Sequence, residues 1–265
     1  MSGHSKWSSI KHKKAIVDSR RGAAFTKLAR AVTVAAREGG GDPDSNAALE
    51  NAIRKAKAAS MPKDNIERAI AKGTGEGGDA DALETVIYEG YGPAGVALLI
   101  ETVTDNRNRT GPDVRNLFTK FGGSLGEPGS VAYLFEKKGV IVLDASRYSE
   151  DDLLVAVEAG AEDISEDDEV FEVVTPLGDF TAVRRALEEA GVELESAELT
   201  HRPSSLVPIE HEGQVVKLMK LIDALEENDD VSAVHANFDV PADRSRETLA
   251  SGEHPRFDQH ARAVG

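Results

Sequence analysis

Two stretches of this 265-residue chain carry side chains at spacings that suit phosphate. The first, KWSSIKHKKAIVDSRRGAAFTKLAR, sets Lys6, Lys11, Lys13, Lys14, Arg20, Arg21, Lys27 and Arg30 around Trp7 and His12, with Asp18 as the single acid. Cations so placed can follow a sugar-phosphate backbone and gain from released counterions, while Trp7 and His12 can stack on bases or fill a groove. A Trp7 that pins the arm to its own domain accounts for that residue equally well. The second stretch, TDNRNRT (104–110), places Arg107, Asn108 and Arg109 on an expected loop between a strand and a helix. Arg offers a planar donor fork and Asn both donates and accepts, which suits contacts to phosphates or bases. On composition alone, a turn held by Asn and Asp side chains, with the arginines paired to Asp105 or Glu101, is the better account.

Other patterns point away from catalysis. Gly90-Tyr91-Gly92-Pro93-Ala94-Gly95 spells G-x-G-x-x-G, but Pro93 sits inside it and a strand pattern follows, so a hairpin turn is expected rather than a dinucleotide site. Gly73, Gly75, Gly77 and Gly78 lack the Lys-Ser/Thr of a phosphate loop. The histidines, at 4, 12, 201, 211, 235, 254 and 260, have no metal-ligand spacing, and Asp151-Asp152 and Asp167-Asp168 read as solvated charge. With no G-x-S-x-G either, no catalytic residue, metal, cofactor or small-molecule substrate is expected, and the chain reads as a non-enzyme.

Charge sharpens the contrast. Residues 1–37 hold nine Lys/Arg and one acid, yet the chain carries a net charge of -16, and residues 144–200 hold 18 acids against three Arg. A basic end on an acidic body suits a polyanion partner. The absence of cysteine fits a reducing compartment, and no 18-residue apolar run or signal-like start is evident, so a cytoplasmic chain without a membrane partner is expected.

Periodicity supplies the elements that would position these residues. Apolar stripes predict helices over 22–38, 45–59 (capped by Asp44 or Ser45) and from Pro62 to a C-terminal Gly73. Strands are predicted over 84–89 and 96–102, a helix from Pro112 ending at Gly122-Gly123, and a strand over 131–135. An acidic β-α-β-α-β unit follows over 140–200, then a helix over 214–227 and a strand over 231–239. EKKG (136–139) and HRPSSLVP (201–208) read as linkers. The expected fold is α+β and multidomain: a helical domain with the basic arm (1–80), a discontinuous α/β domain (81–137 with 206–241), an inserted acidic α/β domain (138–205), and a disordered tail (242–265).

The motifs GHSKW (3–7), IKHKK (10–14), RGAAFTKL (21–28), MPKDNIERAI (61–70), YEGYGPAGVA (88–97), TDNRNRT (104–110) and SVAYLFEKKG (130–139) occur in one order. In them the chain closely resembles the YebC/PmpR family, which also contains the mitochondrial translational activator of cytochrome c oxidase. The resemblance spans about residues 2–240. It implies a three-helix N-terminal domain and two α/β, ferredoxin-like domains, the third inserted into the second. It also implies nucleic-acid binding, with members described as probable transcriptional regulators and others as ribosome-associated translation factors. Gly111-Pro112 and Glu127-Pro128 are stiffer than the usual family sequence. The expected partner is therefore DNA, with ribosomal RNA as the rival, and the acidic domain is left free for a ribosomal or protein partner.

Overall fold

The computed structural model describes residues 21–75, 83–167 and 170–239, with the side chains of residues 21–24 and 167 outside that description. The basic arm as far as Arg20, most of the glycine-rich linker and the tail beyond Asp239 lie outside the described residues.

Among the described residues, three helices build the N-terminal domain: Arg21–Gly39 (α1), Ala47–Ala58 (α2) and Lys63–Thr74 (α3). Their apolar stripes meet in a core of Val32, Ala36, Leu49, Ala56, Ile66 and Ala69. Small residues let α1 and α3 approach closely, and Gly73 marks the contact: a Cβ there would lie 2.4 Å from the Thr33 carbonyl oxygen. Gly73 is thus helical rather than the terminating residue, a role taken by Gly75 in the left-handed conformation (φ 84°). The cap of α2 is Asn46, not Asp44 or Ser45. Its Oδ1 accepts from Leu49 N (3.1 Å) while its Nδ2 donates to the carbonyls of Ala35 (2.8 Å) and Gly40 (2.9 Å). An aspartate could not donate, so only an amide both starts α2 and closes α1.

From residue 84 the order is Glu84–Tyr91 (β1), Ala97–Thr104 (β2), Arg107–Lys120 (α4), Ser124–Leu125 (β3), Phe135–Asp144 (β4), Leu154–Glu158 (α5), Asp163–Asp167 (β5), Val170–Thr175 (β6), Phe180–Glu189 (α6), Ser196–Pro203 (β7), Val207–Pro208 (β8), Glu212–Glu227 (α7), Val231–Ala236 (β9) and Phe238–Asp239 (β10). The first sheet runs β3-β1-β2-β9 and the second β5-β6-β4-β7, each antiparallel throughout. Because β9 pairs with β2, the second sheet is inserted within the sequence of the first. The chain is therefore an α+β multidomain protein with one α/β unit interrupting the other. None of the described helices is long and apolar enough to cross a membrane.

In the first sheet, α4 and α7 cover one face, where Leu98, Ile100, Phe118, Leu218, Leu221 and Leu225 are buried. The other face of β2 is covered as well, by Val131 and Phe135 over Ala97 and Leu99 and by Val34 of α1 beside Val103. Burial on both faces explains the near-continuous apolar run of β2. The segment expected as a strand at 131–135 instead makes a 3-10 turn over Ala132–Leu134. The buried Glu89 carboxylate bends it by accepting the backbone N–H groups of Gly129, Val131 and Ala132 at 2.6–2.7 Å.

In the second sheet, Ile141, Leu143, Phe171 and Val173 pack against Ala156 of α5 and Phe180 and Leu187 of α6. EKKG is no linker but part of β4, paired through Glu136↔Arg202 to Gly139↔Leu199 with β7. Likewise His201-Arg202-Pro203 continues β7, whose place at the sheet edge tolerates a proline. The acid-rich 163–167, not anticipated as a strand, pairs with β6 at the opposite edge.

Candidate nucleic-acid interface

TDNRNRT is not a loop: Thr104 ends β2, Asn106 caps α4 and residues 107–110 form its first turn. The Asn106 Oδ1 accepts from Arg109 N at 3.2 Å, so the helix begins five residues before Pro112, which lies inside it. Arg107, Asn108 and Arg109 are exposed on that first turn. The turn is anchored by Asp230, 5% exposed just before β9. Arg109 Nη2 stands 2.9 and 2.7 Å from the two Asp230 carboxylate oxygens and 2.9 Å from Asp105, and the Thr110 hydroxyl lies 2.7 Å from Asp230. Burial pushes the Asp230 carboxyl up, yet the hydrogen bonds from Arg109, Thr110 and Arg30 hold it below its ordinary value.

That same carboxylate receives Arg30 of α1 at 2.8 Å. Lys27, one turn earlier, donates to the Glu226 carbonyl, and burial lowers its pKa despite the nearby Asp229 and Glu226. Arg37 donates to the Leu83 carbonyl. Lys27, Arg30 and Arg37 of α1 therefore bolt the helical domain to the body. On α2, Arg54 reaches the Ala197 carbonyl, Lys55 reaches Glu198, and Glu50 meets the buried Arg184. Lys27 and Arg30, expected from the sequence to contact phosphates, are thus engaged within the chain itself.

Beside these contacts a groove of about 440 Å³ opens between α1 and α3, its lining including Phe25, Arg30, Asn65, Arg68, Lys72 and Asp105. Asn65, Arg68 and Lys72 follow one stripe of α3 at i, i+3, i+7. Arg68 Nη2 donates to Asn65 Oδ1 at 2.6 Å, a contact that fixes its guanidinium along the helix. At the rim next to Asp105, Arg107 pairs with Glu84 at 3.5 Å, and its side chain is 60% exposed. Of the residues singled out from the sequence, Arg30, Lys27, Arg107, Asn108 and Arg109 thus come to one region. Lys6, Trp7, Lys11, His12, Lys13, Lys14 and Arg20 lie outside the described residues, as does the side chain of Arg21. Sequence reasoning passed over Asn65, Arg68 and Lys72, although their i, i+3, i+7 spacing on a predicted helix was the available signal.

Two family models cover almost the whole chain. Residues 5–76 match the TACO1/YebC protein N-terminal domain, and residues 83–238 match the TACO1/YebC second and third domain. The chain belongs to the TACO1/YebC family. It is 55% identical over 241 residues to a relative from Rubrobacter xylanophilus named "probable transcriptional regulatory protein", covering 91% of this chain and 96% of that one. A protein of the same name from Rhodococcus erythropolis is 52% identical over 254 residues, covering 96% of this chain and 100% of its own. Among solved structures, a conserved hypothetical protein from Aquifex aeolicus superposes with a TM-score of 0.78 at 50% identity, over 88% of this chain and 96% of that one. The YebC fold and the resemblance drawn from the motifs therefore agree.

Proposed function

We propose that this chain is a non-enzymatic regulator of gene expression in the cytoplasm that binds nucleic acid through its helical domain. The observation that carries the proposal is the groove between α1 and α3, where Arg68, Lys72 and Asn65 line one side and the exposed first turn of α4, with Arg107 and Asn108, adjoins the rim at Asp105. Charged forks and amides along one channel suit a phosphodiester backbone, and the basic arm leads directly into α1 beside it. DNA is the favoured target. The relatives' name supports transcription, and α2 and α3 are joined by four residues, the connection length of a helix-turn-helix. A second reading, ribosomal RNA, is favoured by Phe25 in the groove wall, because a ring beside cations can stack on an unpaired base. The acidic second sheet repels phosphate and leaves its surface for a protein partner.

The test is fluorescence anisotropy of labelled promoter DNA and ribosomal RNA with the full chain across a salt series, alongside sedimentation of lysate on a sucrose gradient. A steep log-log salt slope that shallows in Arg68→Ala and Lys72→Ala supports the groove. Co-migration with ribosomes at moderate salt selects RNA, and sequence-selective promoter binding by free protein selects DNA. A flat slope, or a chain starting at Phe25 with undiminished affinity, removes the counterion argument for the arm. Magnesium-dependent cleavage of either probe would contradict the non-enzymatic reading.

A further inference from the structure

Three side chains far apart in sequence meet between the two sheets. Glu101 lies on β2, His235 on the neighbouring β9, and His201 on β7 of the inserted sheet. His201 Nδ1 stands 2.8 Å and His235 Nε2 2.9 Å from the same carboxylate oxygen, Glu101 Oε1. All three donor atoms fall within 4.8 Å of one another, and the rings meet edge to face with centroids 5.0 Å apart. These residues take no part in the groove.

We propose that Glu101, His201 and His235 form a binding site for a zinc-type divalent transition-metal ion that clips the inserted sheet to the first. Two imidazoles and one carboxylate are a donor set that zinc favours, whereas magnesium and calcium prefer all-oxygen surroundings. On an ion with bonds of about 2.0–2.1 Å, tetrahedral ligand atoms stand roughly 3.3 Å apart. The observed 2.8 and 2.9 Å separations are therefore opened by only a few tenths of an ångström on binding. The outer contacts fit as well. If His235 ligates through Nε2, its proton sits on Nδ1, which lies 3.3 Å from the Thr200 hydroxyl oxygen, a partner able to accept it and fix the ring. Three protein ligands leave a fourth position for water, and Glu101, at 30%, is the most exposed of the three. Without an ion, the same atoms are joined by N–H···O hydrogen bonds, so the cluster is held in place before metal arrives.

Isothermal titration of zinc chloride into chelator-stripped full-length protein tests the site, with cobalt(II) as the spectroscopic probe. The expected result is one ion per chain, affinity lowered by at least the about 10–100-fold that loss of an outer contact costs in each of His201→Gln and His235→Gln, and no change in His211→Gln, an exposed histidine elsewhere. Zinc should raise the Tm of the unsubstituted chain, an excess of magnesium should not compete, and cobalt should give the visible bands of a nitrogen-ligated ion. Should the variants fail to fold, the cobalt spectrum of the unsubstituted chain decides, and its absence overturns the proposal. Zinc uptake that is undetectable, or that survives both substitutions, shows a hydrogen-bonded cluster only and overturns it equally.

Discussion

Replacing Asp230 with alanine should destabilise the chain by about 1–3 kcal/mol, because one nearly enclosed carboxylate holds α1, the first turn of α4 and the residues just before β9 together. The buried Thr110 hydroxyl would lose its 2.7 Å acceptor, but the Asn106 carbonyl at 3.1 Å and the Thr104 hydroxyl at 2.8 Å can take its place, so the loss is about 1 kcal/mol. Arg30 and Arg109 would lose charge-assisted bonds that would be larger in a dry site. Arg109 is 46% exposed and Arg30 22%, so water recovers most of that loss and each contributes under about 1 kcal/mol. Urea unfolding followed by far-UV circular dichroism reads the change as a lower midpoint with the slope unaltered. Arg30→Met and Arg109→Met, each paired with Asp230→Ala, complete double-mutant cycles that separate the two bonds. The pH dependence has a fixed sign. A carboxyl held below its ordinary value of about 3.9 contributes stability that is complete above that pH and is lost as pH falls through the lower folded-state value. Asp230→Asn should therefore lose stability at neutral pH and show a shallower decline in acid. An unchanged urea midpoint for Asp230→Ala at pH 7 would refute this account of the junction.

Three further substitutions probe other links. Gly73→Ala should destabilise by about 1–3 kcal/mol in thermal or urea unfolding, since a Cβ 2.4 Å from the Thr33 carbonyl forces α1 and α3 apart and outweighs the roughly 1 kcal/mol gained in helix propensity; a stabilised variant would show that the helices separate freely. Glu89→Gln should cost about 1–3 kcal/mol and speed amide exchange at Gly129, Val131 and Ala132, because an amide oxygen replaces a carboxylate that accepts three N–H bonds; unchanged protection there would contradict its role in bending the segment. Arg107→Glu should weaken nucleic-acid binding at low salt and flatten the salt slope by about one to two phosphate contacts without changing stability by more than ~0.5 kcal/mol, and an identical slope would remove Arg107 from the interface.

Periodicity reveals the helices and the central strands well, since their stripes are set by burial: Val32, Ala36 and Leu49 fall where the 3.6-residue repeat places them, and the strand expected over 96–102 is β2. Local composition misled where pairing decides. EKKG and HRP look like linkers, but each supplies the other with ladder hydrogen bonds, a relation no window along the chain contains. TDNRNRT looked like a loop because Pro112 suggested a helix start, while the Asn106 cap lay earlier. The engagement of Arg30 and Arg109 with Asp230, and the meeting of His201 with His235, follow from the return of the chain to the first sheet after the insertion. Short-range spacing carries no trace of such encounters.

The late arrival of β9 has a consequence for synthesis on the ribosome. The strand beside it, β2, leaves the exit tunnel more than a hundred residues earlier and must wait with one edge unpaired. Meanwhile Phe135–Pro203, contiguous in the chain, can close its own four strands. Ribosome stalling before residue 231 should thus leave a nascent chain whose middle is protease-resistant and whose apolar β2 edge is open to chaperones or to a neighbouring polysome product.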